Sequence, residues 1–247
     1  MPFVFEIIAR AVLLPVLVAQ GLFLQARTLR LPEPDGPRSG TMGQGPALSV
    51  LIIGDSSAAG VGVDHQDVAL AGHLTQTLAQ THLVTWHLHA KTGVTTSGVL
   101  QSLDDLPDIQ FDVAVQALGV NDITSGTSLR RWLQDQHSLA QALRDRHGIE
   151  HFWITGVPPM SDFPLLPNPL RWVLGRQAMR FDLAQRARCN ADATLHYVPV
   201  QSVLDATTMA SDGFHPGPAI YADWGQGTAD LITSTLRTRK PGNQTVV

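Results

Sequence analysis

Five short runs of β-branched and apolar residues punctuate this chain, at 48–54, 82–88, 111–118, 151–157 and 194–200. Runs of that length and composition, bounded by turn formers, read as strands. Between them apolar residues recur at helical spacing, as at Leu70, Leu74 and Leu78, and again at Leu170, Val173, Leu174, Ala178 and Phe181. Strand alternating with helix implies parallel pairing, because parallel neighbours need a crossover and helices supply it. The expected fold class is α/β, a three-layer α/β/α sandwich around a five-stranded parallel sheet.

The pattern changes at both ends. Residues 3–24 are apolar apart from Glu6, Arg10 and Gln20, and Arg27 and Arg30 follow. Counted from Phe3 the run has 22 residues, and about 20 are needed to span a bilayer. Residues 1–30 therefore read as a membrane-anchor or signal-like segment, with a retained anchor, a cleaved signal and a buried N-terminal helix all open. Contact with a membrane through residues 3–24 is expected, and with it a membrane-anchored or exported protein of a bacterial cell envelope. The stretch 31–46 carries four prolines and four glycines, which oppose regular structure and mark a linker. The globular domain is expected at 47–240, followed by a flexible C-terminal end at 241–247.

Composition narrows the partners. A net charge of −4 leaves no basic field to attract a nucleic acid. Cys189 is the single cysteine, so no internal disulfide or thiolate cage forms, and the histidines show no compact metal-binding spacing. No cofactor, no metal and no protein partner are called for.

Candidate chemistry sits where strands end, since ligands of open parallel sheets bind outside the carboxyl ends of the strands. The first run leads into Gly54-Asp55-Ser56-Ser57, which places the Ser56 hydroxyl at a strand-to-helix turn. Taken alone, Gly-Asp-Ser is also an ordinary helix cap. The second run is followed by Lys91-Thr92-Gly93, and Gly93 lets a backbone N–H approach a ligand unobstructed. The third leads into Gly119-Val120-Asn121-Asp122, an amide donor at the same edge and equally a good turn. Near the end, Asp212 precedes His215 by three residues, close enough to hold the imidazole on one turn, and Pro216 is expected to open the last helix. Asp55 and Asp122 read as partners of turn amides, and Trp153 as core.

Together and in this order, these segments resemble the SGNH (GDSL-type) hydrolases over most of residues 48–236. The resemblance implies a flavodoxin-like sheet. It also implies Ser56 as nucleophile, Asp212 and His215 as the rest of a triad, and an oxyanion hole from the Ser56 N–H, the Gly93 N–H and the Asn121 amide. Ser57 stands where that family carries leucine, and it adds a rival hydroxyl. The expected activity is hydrolysis of acyl esters, either short-chain or lysophospholipid-like. A carbohydrate O-deacetylase with the same triad is an alternative, and a non-catalytic small-ligand binding module is an alternative of another class.

One loop stands out, 158–169, with five prolines yet apolar Met160, Phe163, Leu165 and Leu166. It leaves the sheet on the site side. Phe163, Leu165 and Leu166 are expected to contact an acyl chain, or else the loop folds over the core.

Overall fold

The computed structural model describes residues 2–27, 29–200 and 202–238. The expected flexible end at 241–247 lies outside the described residues.

In chain order the elements are α1 (Pro2–Arg27), β1 (Ser39–Met42), β2 (Ala47–Gly54), α2 (Ser56–Ala59), α3 (Leu70–Leu78), β3 (Leu83–Ala90) and α4 (Thr96–Gln101). There follow β4 (Val113–Ala117), α5 (Val120–Thr124), α6 (Leu129–His147), β5 (His151–Thr155), α7 (Leu170–Ala191), β6 (Leu195–Val198) and α8 (Pro218–Thr238). The strands form one six-stranded sheet in the order β1-β3-β2-β4-β5-β6. Strands β2 to β6 are parallel and coincide with the five expected runs. Their order is that of flavodoxin-type sheets: the chain steps outward from β2 to β3, then crosses to the other side for β4, β5 and β6. The crevice rule therefore points to the gap beyond β2 and β4.

The sixth strand corrects the linker reading of 31–46. Strand β1 runs antiparallel to β3, with Ser39 opposite His87 and Met42 opposite Val84. Its prolines flank the strand without interrupting it, and an edge strand needs partners on one side only. Gly40 lets it lie against Trp86, whose indole nitrogen sits 3.1 Å from where a Cβ would be. The segment thus belongs to the domain and covers what would be an open edge of β3.

Strand alternation divides the core. Val50 and Ile52 face α3 and α8, packing among Leu70, Leu74, Tyr221 and Ile232. Leu51 and Ile53 face the other layer, among Leu139, Leu143, Phe152 and Cys189. All four strand residues are fully buried, and each contributes roughly 1.5–3 kcal/mol of transfer free energy. A third cluster lies beyond the strand ends, where Trp132 stacks on Phe181 at 4.6 Å and Met160, Phe163, Leu166, Met209 and Ile220 close in.

Helix α1 touches this body at one end. Gln20 donates from Nε2 to the Asn168 carbonyl at 2.7 Å and accepts from Leu170 N at 3.1 Å, and Leu24 packs on the third cluster. Val12, Leu14, Val18, Leu22 and Phe23 remain more than half exposed. Among the described residues, no helix is long and apolar enough to cross a membrane.

Candidate active site

The end of β2 is shaped by close packing. A Cβ on Gly54 would lie 2.5 Å from the Ala117 carbonyl and 2.6 Å from Ala58, so only glycine lets the turn press against β4. Asp55 then caps α2, its Oδ1 accepting from Ser57 N at 3.0 Å and from Ser57 Oγ at 2.6 Å. That bond orients Ser57 toward Asp55. Ser56, first in α2 and nearly buried, turns its hydroxyl to the opposite segment, where His215 Nε2 lies 2.8 Å away.

The 212–215 turn is built by Asp212. Its Oδ1 accepts from the backbone N–H of Phe214 at 2.9 Å and of His215 at 3.0 Å, and its Oδ2 faces His215 Nδ1 at 2.5 Å. Nδ1 therefore carries the ring proton toward the carboxylate and leaves the Nε2 lone pair facing the Ser56 hydroxyl. Burial raises the Asp212 pKa, but the hydrogen bonds from the His215 side chain and from the His215 and Phe214 backbone outweigh it. The carboxyl is held below its ordinary value. Pro216 does not open the last helix. It bridges to Met209, and α8 starts at Pro218.

Two further segments follow β3 and β4, and neither Gly93 nor Asn121 on them lines the cavity beside Ser56. Gly93 has a left-handed φ of +80° with nothing within 4 Å of a would-be Cβ, so its backbone is open to a ligand. Asn121, in α5 just past β4, donates from Nδ2 to the Val94 carbonyl at 3.0 Å and makes only a loose 3.4 Å contact with Asp55 Oδ2. One amide hydrogen is thus held firmly by Val94, and the other is held only by the longer bond to Asp55. Asp122 accepts from Thr96 N and, at 2.9 Å, from Thr96 Oγ1, tying α5 to the start of α4. Burial is the main cause that raises the pKa of both Asp55 and Asp122, opposed by these hydrogen bonds. Both serve turn amides, as their sequence context indicates, and Trp153 is fully buried.

Ser56, Asp212 and His215 come together across 159 residues of chain, with Gly93 and Asn121 on the segments beyond β3 and β4. A cavity of about 830 Å³ opens beside Ser56 and His215. Phe163 lines it, but Leu165 and Leu166 do not. Leu166 is 3% exposed in the third cluster, and Leu165 N instead donates to the Gly213 carbonyl at 3.1 Å, bracing the Asp212 turn. Leu166 fills the space beyond the sheet with Met160 and Phe163, whereas Leu165 is placed by its backbone bond to the Asp212 turn. The remaining walls, including Leu204, Met209, Ile220 and Trp224, were missed by sequence reasoning. The apolar stripe of α8 is a sequence signal for Ile220 and Trp224 alone.

The family model described as GDSL-like lipase/acylhydrolase matches residues 52–222, well over half of the chain. No curated protein matches in sequence. Among solved structures, the chain resembles the psychrotrophic esterase EstA from Pseudoalteromonas sp. at TM-score 0.59 and 18% identity, over 76% of this chain and 98% of that one. It resembles a carbohydrate esterase family 2 enzyme from Corynascus thermopiles (Myceliophthora fergusii) at 0.59 and 16%, over 83% and 69%. It also resembles Est24, a carbohydrate acetylesterase from Sinorhizobium meliloti, at 0.55 and 16%, over 76% and 99%. At these identities the structural likenesses establish the fold, and the α/β sandwich is shared. On the family model, the chain belongs to the GDSL-like lipase/acylhydrolase family of esterases.

Proposed function

We propose that this protein hydrolyses carboxylic esters through an acyl-enzyme on Ser56. The observation that carries the reading is the unbroken hydrogen-bonded chain from Ser56 Oγ through His215 to Asp212, at 2.8 and 2.5 Å. A serine hydroxyl is a weak nucleophile until a base takes its proton. His215 Nε2 accepts that proton as Oγ bonds to the ester carbonyl carbon, and Asp212 stabilises the resulting imidazolium. The tetrahedral oxyanion draws on the Ser56 N–H, the Gly93 N–H and the Asn121 Nδ2 hydrogen that exchanges its long bond to Asp55 for the oxyanion, each contributing roughly 3 kcal/mol. Collapse breaks the bond to the alcohol oxygen, which takes the proton from Nε2 and departs. Water then attacks the acyl-Ser56 ester with the same base, and the carboxylic acid leaves.

The apolar cavity favours an acyl ester over a sugar acetate, since a carbohydrate needs polar partners along its pocket. Helix α1 supports contact with a lipid surface, and so an envelope location, because its exposed apolar side chains from Val12 to Phe23 are followed by Arg27. The test is covalent: Ser56→Ala abolishes ester hydrolysis and labelling by a fluorophosphonate, while Ser57→Ala keeps both. Adduct on Ser57, or hydrolysis by a folded Ser56→Ala protein, refutes the assignment.

A further inference from the structure

The cavity continues well past the reacting atoms. From Phe163 and Phe214 beside His215 it passes Leu204 and then runs along α8. The helix offers it Ile220, Trp224, Gly227 and Leu231, positions i, i+4, i+7 and i+11 of a single stripe. Eleven residues of helix span about 16 Å. The stripe has one gap on its exposed half: Gly227 and Leu231 face solvent, and a Cβ on Gly227 would meet nothing within 4 Å. A volume near 830 Å³ suits a drug-sized ligand and far exceeds an acetyl group. Val198, Pro199, Val200 and Leu204 add apolar lining, exposed Asp223, Gln226, Asp230 and Ser234 stand on the solvent side, and buried Thr155 and Thr228 have their hydroxyls engaged by Trp224.

We propose that this groove is the acyl-chain site, selecting medium to long linear chains, octanoyl to dodecanoyl, and that Gly227 is the opening through which the chain's distal half passes. The proposal rests on the ester-hydrolase reading and deepens it. Burial of successive methylenes should raise kcat/KM about fourfold each until the groove is filled. Gly227→Leu closes the opening, and leucine is the better helix former, so the variant folds.

Two measurements on the full chain decide. Across nitrophenyl esters from acetate to dodecanoate, the dodecanoate-to-acetate ratio of kcat/KM should fall at least tenfold in Gly227→Leu. Dodecanoate, the product acid, should bind the Ser56→Ala protein, followed by Trp224 fluorescence, and at least tenfold more weakly when Gly227→Leu is added. Equal ratios and equal dodecanoate binding in both backgrounds overturn the groove. Loss of all hydrolysis with dodecanoate binding still sensitive to Gly227→Leu instead faults the serine mechanism and leaves the groove standing.

A second, independent observation concerns the loop that carries Gly93. Glu33 Oε1 accepts from both Thr92 N and Thr92 Oγ1 at 2.8 Å, and its Oε2 accepts from Arg38 at 2.9 Å. Arg38 also donates to the Ala90 carbonyl. The residues just before Gly93 are thus clamped by a carboxylate from outside the family-matched region. We infer that Glu33 is a positioning residue for the Gly93 N–H, an inference resting on that group's role in the oxyanion hole. Glu33→Ala should lower kcat about tenfold with little change in KM, and Glu33→Gln, which keeps an acceptor for Thr92, should recover most of it. An unchanged kcat, or a loss that merely tracks unfolding at the assay temperature, overturns this role.

Discussion

Replacing Asp212 by asparagine tests the proton path most directly, because the change is nearly isosteric. An asparagine oxygen can still accept from the Phe214 and His215 backbone N–H groups that Asp212 Oδ1 serves, so the turn survives. Its amide nitrogen then replaces Oδ2 opposite His215 Nδ1. Two donors cannot face each other, so the ring proton moves to Nε2 and points at Ser56 Oγ, where a lone pair is required. The equivalent change in a Ser-His-Asp protease costs on the order of 10⁴ in kcat, about 5.5 kcal/mol, and a similar loss is expected here. Stability should change little. Asp212→Ala, by contrast, also orphans two backbone donors, at roughly 1–3 kcal/mol each, which for a chain of this length lowers the thermal midpoint by several degrees. Nitrophenyl acetate turnover, with circular dichroism melting on the same samples, reads both quantities. An Asp212→Asn protein that keeps more than about a hundredth of wild-type kcat would refute the tautomer argument. The pH dependence has a definite sign. The folded carboxyl lies below its ordinary value, so its contribution is fully present above an unfolded pKa of about 3.9 and is lost as pH falls through the folded one. Wild-type stability should therefore fall more steeply with acid below that range than that of Asp212→Asn, which keeps only the contribution of other depressed carboxyls such as Glu33 and Asp192.

Further outcomes follow from the same geometry. Asn121→Ala should lower kcat by about 10² to 10³ while fluorophosphonate labelling of Ser56 persists at a reduced rate, since one oxyanion donor is lost and the nucleophile is untouched. Deleting residues 1–30 should leave an active enzyme that no longer sediments with vesicles, whereas deleting 1–46 also removes β1 and Glu33 and should cost both activity and thermal midpoint; equal activity in the two truncations contradicts the structural role given to 31–46. The Cys189 thiol is buried and its pKa pushed up to about 11, so it should resist a disulfide reagent at pH 8 until the protein unfolds, and rapid labelling of the native state would show the packing around it to be wrong.

Local chemistry was legible in the sequence wherever a short segment carries its own physics. The five parallel strands follow from runs of β-branched residues, and Leu70, Leu74 and Leu78 face the core because helical period alone puts them on one stripe. The Asp212–His215 pairing is likewise local, three residues within one turn. What tertiary structure decided depends on residues distant in the chain. The stretch 31–46 contributes a strand because β3 has an unpaired edge for it, and the prolines show only where that strand must stop. Leu166 leaves the cavity because it fills space beyond the sheet, and Leu165 because its backbone pairs with Gly213, constraints that no window of sequence contains. The α8 residues line a cavity only because Val198, Pro199, Val200 and Leu204 share it with them. Sequence thus determined which candidate groups are present and on which elements they sit; packing, which is set by shape and volume across the whole chain, determined which of them share one cavity.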